Sequence, residues 1–138
     1  MFRKILVPVD LTDKNVAALA QAAELAQPDG GSVIVVHVVE TLDEPFEELE
    51  DFYHQLETNA RQEMRRLVAP LVRARVPHEQ IIAYGKRVPM IVRYARDYEA
   101  DLIIITSHQI DPAEPEKSWM TISHQIAIVA PCPVLLLR

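Results

Sequence analysis

Asp10 follows a short apolar run, Lys4 to Val9 (KILVPV), and Thr106, Ser107, His108, Gln109 and Asp111 follow another, Leu102 to Ile105. Carboxylates, hydroxyls and imidazoles beside apolar runs are the groups that acid–base and nucleophilic chemistry uses. A Ser, His and Asp set can be written from Ser107 or Ser123, His108 or His124, and Asp10 or Asp111. Its spacing argues against hydrolysis. Ser107 and His108 are neighbours rather than partners from separate elements, no G-x-S-x-G elbow is present, and nothing marks an oxyanion hole. His108, Asp111, His124 and Cys132 are good ligand types but match no compact metal spacing, and a single cysteine rules out a thiolate-rich site. His37 interrupts an apolar run and reads as a core histidine whose nitrogens find local partners. The reading is a protein that is not an enzyme and holds no metal.

The elements that must position these residues alternate. KILVPV is a strand apolar on both faces, and Thr12 is placed to cap a helix in which Val16, Leu19, Ala20, Ala23 and Ala26 recur at helical steps. Pro28 to Gly31 stop it. Val33 to Val39 is a second strand. Pro45 suits a first helical turn, and Phe46, Leu49, Tyr53, Leu56, Ala60, Met64, Leu67 and Leu71 predict a long amphipathic helix bent at Pro70. Gln80 to Tyr84 is a third strand, Gly85 a turn, and Pro89 opens a helix with Ile91, Val92, Ala95 and Tyr98 inward. Leu102 to Ile105 is a fourth strand; Ile122, Ile126 and Val129 mark a last helix, and Val134 to Leu137 a fifth strand. Alternating strands and helices, with strands apolar on both faces, imply an α/β fold with helices covering both faces of a parallel sheet. A phosphoacceptor aspartate after the third strand is absent, since Tyr84 and Gly85 stand there, which removes a phospho-receiver reading.

The chain has 138 residues, about half of them apolar, enough for one domain spanning residues 1–138. A net charge of −6 lacks the clustered cations that nucleic acids and anionic membranes require, so neither is an expected partner. The acidic cluster from Glu40 to Asp51 reads as a solvated helix start favoured by the helix dipole. One cysteine permits no intrachain disulfide, and the apolar stretch near Met1 is too short for a signal segment or a membrane span, so a cytoplasmic location is expected.

KILVPVD, GGSVIVVHVV, the Gly85 to Ile91 spacing, ADLIIITSH and APCPVLLLR, in this order over nearly the whole chain, resemble the universal stress protein (UspA) family. The resemblance implies a three-layer α/β/α fold with a five-stranded parallel sheet in the order 3-2-1-4-5, of the adenine nucleotide alpha hydrolase-like type. Strands one and four are then neighbours where the winding reverses, so Asp10 and the Thr106, Ser107, His108 segment should face one crevice. Nucleotide-binding members of the family place base and ribose on residues that correspond to Pro8, Val9, Asp10 and Val38. Their phosphate loop resembles G-x2-G-x9-G-[ST]; here no glycine follows Gly85, and the matching positions are Thr106, Gln109, Met120 and Thr121. The tentative site is therefore Pro8, Val9, Asp10, Val38, Thr106, Ser107, His108, Gln109 and Thr121.

Two readings follow. In the favoured one, the protein is a dimeric, non-catalytic stress-response module without tight ATP binding, requiring no cofactor. In the other, it binds ATP or AMP, or hydrolyses ATP weakly, through an atypical loop, TSHQIDPAEPEKSW, using Ser107, His108, Asp111, Lys117 and Trp119. For Asp10 a plain role as a loop cap is equally open. Trp119 reads as a lid, an interface anchor or ordinary packing. The last strand, Val134, Leu135, Leu136 and Leu137, is an apolar edge in the implied order, and the resemblance suggests that two copies pair along it as a homodimer.

Overall fold

The computed structural model describes residues 1–41, 46–107, 112–114 and 121–138. Five strands, β1 (Lys4–Pro8), β2 (Ser32–Val39), β3 (His78–Tyr84), β4 (Leu102–Thr106) and β5 (Val134–Leu137), form one parallel sheet ordered β3-β2-β1-β4-β5. Its faces are covered by α1 (Asn15–Ala26), α2 (Glu50–Leu67) and α3 (Ala69–Arg73) on one side and by α4 (Arg87–Asp97) and α5 (Ile122–Val129) on the other. This is the expected three-layer α/β/α architecture and strand order.

Strand side chains alternate between the two cores. Ile5, Val7, Val33, Val35 and Ile104 pack with α1 and with Met64, Leu67 and Leu71, while Leu6, Ile34, Val36, Ile103 and Ile105 pack with Ile91, Ala95 and Ile126. Both faces of the central strands are thus removed from water, which explains why they read as continuous apolar runs. The Asp101 carboxylate accepts from the backbone N–H groups of Arg3 (2.8 Å) and Lys4 (3.1 Å), tying the start of β1 to the start of β4. Gly31 leads into β2 against the backbone of Phe2 and Arg3, just before β1: a Cβ there would lie 2.9 Å from the Phe2 carbonyl oxygen, too close for any side chain.

Several local expectations are corrected. Thr12 does not cap α1; its hydroxyl donates to Asp10, Lys14 holds the N-cap position without a side-chain bond, and the buried face is Asn15, Ala18, Leu19, Ala22, Ala23 and Ala26. Val16 and Ala20 point outward, because the buried stripe of α1 is centred on Asn15, Ala18 and Ala22. The long helix stops at Leu67 and restarts as α3, with Pro70 in the first turn, where its missing N–H costs nothing. Leu56 and Val129 lie on exposed surfaces, and β3 begins at His78, two residues before the expected Gln80. The acidic residues Glu50 and Asp51 occupy the first turn of α2, as a helix dipole favours.

Candidate functional site

β1 has β2 on one side and β4 on the other, so the connections after β1 and β4 leave in opposite directions and open a crevice at their carboxyl ends. The crevice has a volume of about 380 Å³, within the range that holds a small ligand. Of the expected site residues, Pro8, Val9, Asp10, Val38, Thr106, Ser107 and Thr121 line it together. His108 and Gln109 lie outside the described residues, as do Asp111, Lys117, Trp119 and Met120.

The loop after β1 is held by its own polar groups. Asp10 Oδ1 accepts from the Thr12 N–H (3.0 Å) and from the Thr12 hydroxyl (2.6 Å), and the Asp10 N–H donates to Oδ1 of Asn15 (3.1 Å), a side chain only 2 % exposed. Between them Leu11 adopts φ 70°, a left-handed conformation that a branched residue keeps only when its surroundings impose it. Asp10 therefore does act as a loop cap. The neighbouring Val9 carbonyl accepts from His37 Nδ1 at 2.9 Å. That bond requires the proton on Nδ1, because a carbonyl has none to give. His37, read from sequence as a core residue, lines the crevice as well as joining β2 to the end of β1.

The wall formed by β4 and α5 carries hydroxyls. Ser123 Oγ donates to Ser107 Oγ at 3.2 Å, both side chains being buried, and Thr121 Oγ1 lies 3.3 Å from Ser123 Oγ. Thr121 also caps α5 by accepting the His124 N–H (3.2 Å). Thr106 Oγ1 is buried and, among the described residues, has no hydrogen-bond partner. Such an orphaned hydroxyl costs roughly 1–3 kcal/mol.

Gly85 (φ 146°) turns the chain from β3 into α4, and Arg87, the first residue of α4, lines the crevice. Arg87 Nε forms an ion pair with Glu40 Oε1 at 3.4 Å. Sequence reasoning missed Asn15 and Arg87, read Ile91 only as a packing residue, set Ser123 aside with the rejected triad, and read His37 as a core residue. Gly85 just before the helix was the signal that this helix start approaches a site. Among the described residues, no group of three or more His, Cys, Asp or Glu side chains is arranged to hold a metal ion. The free Cys132 is half-buried outside the crevice, and burial, with the nearby Asp101 charge, pushes its thiol pKa up.

A protein-family model described as the universal stress protein family matches residues 1–138. The chain belongs to this family. A universal stress protein of Thermus aquaticus is 32% identical over 142 residues, covering 100% of both chains. Among solved structures, an Archaeoglobus fulgidus universal stress protein in complex with dAMP aligns with a TM-score of 0.73 at 24% identity, covering 99% of this chain and 98% of the other. A universal stress protein in complex with cAMP aligns with a TM-score of 0.77 at 14% identity, covering 99% and 97%. These structural likenesses carry the fold. Among the described residues, no helix of this universal stress protein is long and apolar enough to cross a membrane.

Proposed function

We propose that residues 1–138 act as one universal stress protein domain: a non-catalytic, dimeric signalling or binding module of the cytoplasm that does not hold a polyphosphate tightly. The observation that carries this reading is the make-up of the β4–α5 wall. It presents the side-chain hydroxyls of Ser107, Thr121 and Ser123, and no glycine follows Gly85 in the chain. Backbone amides close around a row of phosphates where side chains are absent, and Pro112 and Pro115 remove two further amide donors. A non-catalytic role is supported by the bonds the polar groups make. The Asp10 carboxylate is engaged by its own loop and the Ser107 hydroxyl by another hydroxyl, whereas a nucleophile needs a base. The single cysteine suits a reducing compartment.

A second reading, a nucleoside or nucleoside monophosphate in the crevice, is favoured by its apolar lining. Val38, Ile91 and Ile105, which belong to one core cluster, line it together with Asp10, and two relatives of the same fold are described in complex with dAMP and cAMP. Calorimetric titration with ATP, AMP and cyclic dinucleotides tests both. The main reading expects no micromolar response to ATP. A micromolar ATP response that Asp10→Ala abolishes would overturn it, and a response to AMP alone would establish the second reading beside it.

A further inference from the structure

Among the described residues that line the crevice, Arg87 is the one lysine or arginine, and its ion pair with Glu40 sets it beside the end of β2. Ile91, one helical turn on in α4, and Val38, two residues before Glu40, belong to one core cluster and also line the crevice, 3% and 6% exposed. Glu40 already balances its charge through the 3.4 Å ion pair, and both side chains are about half exposed, so this end offers little net attraction to an anion. After pairing, the guanidinium keeps a flat, weakly hydrated face, which stacks on aromatic planes as a lysine ammonium does not. An apolar wall and a guanidinium face together suit a flat heterocycle.

We infer that Arg87 is a specificity-determining residue of the crevice, stacking its guanidinium on a planar nitrogen heterocycle, a nucleobase, that lies against Val38 and Ile91. Glu40 restrains the arginine and limits what it loses in freedom on binding. The inference rests on the reading that a nucleoside occupies the crevice, and it differs from that reading in assigning base recognition to a side chain of α4.

The test is calorimetric titration of adenosine and AMP into the full chain and into Arg87→Ala and Arg87→Lys, with a thermal melt of each. Arg87→Ala is expected to weaken both ligands by the same factor, about tenfold. Arg87→Lys, which keeps the charge without the plane, is expected to recover little of the loss. A loss confined to AMP, or full recovery in Arg87→Lys, would show an anion contact and overturn the assignment. Unchanged affinity in Arg87→Ala overturns the role of Arg87 while leaving the nucleoside reading intact. Failure of the unaltered chain to bind adenosine overturns both.

Discussion

Leu11 carries its left-handed backbone (φ 70°) between two anchors, the Asp10 carboxylate on Thr12 and the Asn15 amide on the Asp10 N–H. A left-handed L-residue costs about 1–2 kcal/mol, which the half-buried leucine offsets by packing against the α1 side of the core. The two contributions separate by substitution. Leu11→Ala loses the packing and keeps the strain, whereas Leu11→Gly loses the packing and the strain together. Urea denaturation should therefore find Leu11→Gly more stable than Leu11→Ala by about 1 kcal/mol, the reverse of the usual order for these residues. If Leu11→Ala is the more stable of the two, the turn is not strained. The same anchors hold the Val9–Asp10 peptide rigid at the mouth of the crevice, so the stability of this turn and the shape of the site are linked.

Between elements, the α2 to β3 contact has an electrostatic part that can be read by pH. Tyr84 OH donates to Glu57 Oε2 (3.0 Å) and Arg61 Nη2 donates to Glu57 Oε1 (2.8 Å). These bonds, the arginine's first and the tyrosine's second, favour the carboxylate and lower the Glu57 pKa from its ordinary value. Burial, and then the same carboxylate, push the Tyr84 pKa up. A depressed carboxyl pKa adds stability above the unfolded-state value, and this is lost as pH falls through the folded-state value. Glu57 lies at the surface, so the effect belongs to its titration curve more than to global stability. Carboxyl-detected NMR should show Glu57 titrating below the ordinary glutamate range, and Tyr84→Phe should move it part of the way back up. A curve that Tyr84→Phe leaves in place would mean that the hydroxyl is not a partner in solution. Tyr53 packs edge-on against Tyr84, with ring centroids 6.0 Å apart, so the hydroxyl stays aimed at α2 by ring packing.

For the whole molecule, assembly turns on β5. Among the described residues it is an edge strand, paired with β4 alone, and Leu136 is 36% exposed. Exposed apolar edges invite strand addition, and a two-fold pairing of this edge with that of a second copy would satisfy its free backbone groups and cover its side chains at once. Sedimentation at micromolar concentration is expected to give a dimer. Leu136→Lys, which leaves the backbone alone, and Leu136→Pro, which also removes a donor, should both shift it toward monomer. A monomeric unaltered chain would end this proposal. β5 also reaches the crevice, through the Ser107 N–H, which donates to the Leu137 carbonyl at 2.7 Å, and through its packing with α5.

The sequence by itself determined that strands alternate with helices, that the central strands are buried on both faces, and that Asp10 closely follows the first of them. It did so because apolar periodicity records which faces of each element leave water. Periodicity does not record which strand lies beside which, and the order 3-2-1-4-5 came into the reading only by resemblance. The particulars of the crevice were decided by tertiary structure. Asn15 reads as an ordinary polar residue at a helix start until its amide is found against the Asp10 N–H. His37 sits in an apolar run, yet the end of β1 beside it makes it part of the site wall. Arg87 and Ser123 are separated by thirty-odd residues and line one cavity because α4 and α5 cover the same face of the sheet. Thr12 shows the converse: a sound helix-cap signal was overridden because a carboxylate two residues away offered its hydroxyl a stronger, charge-assisted bond.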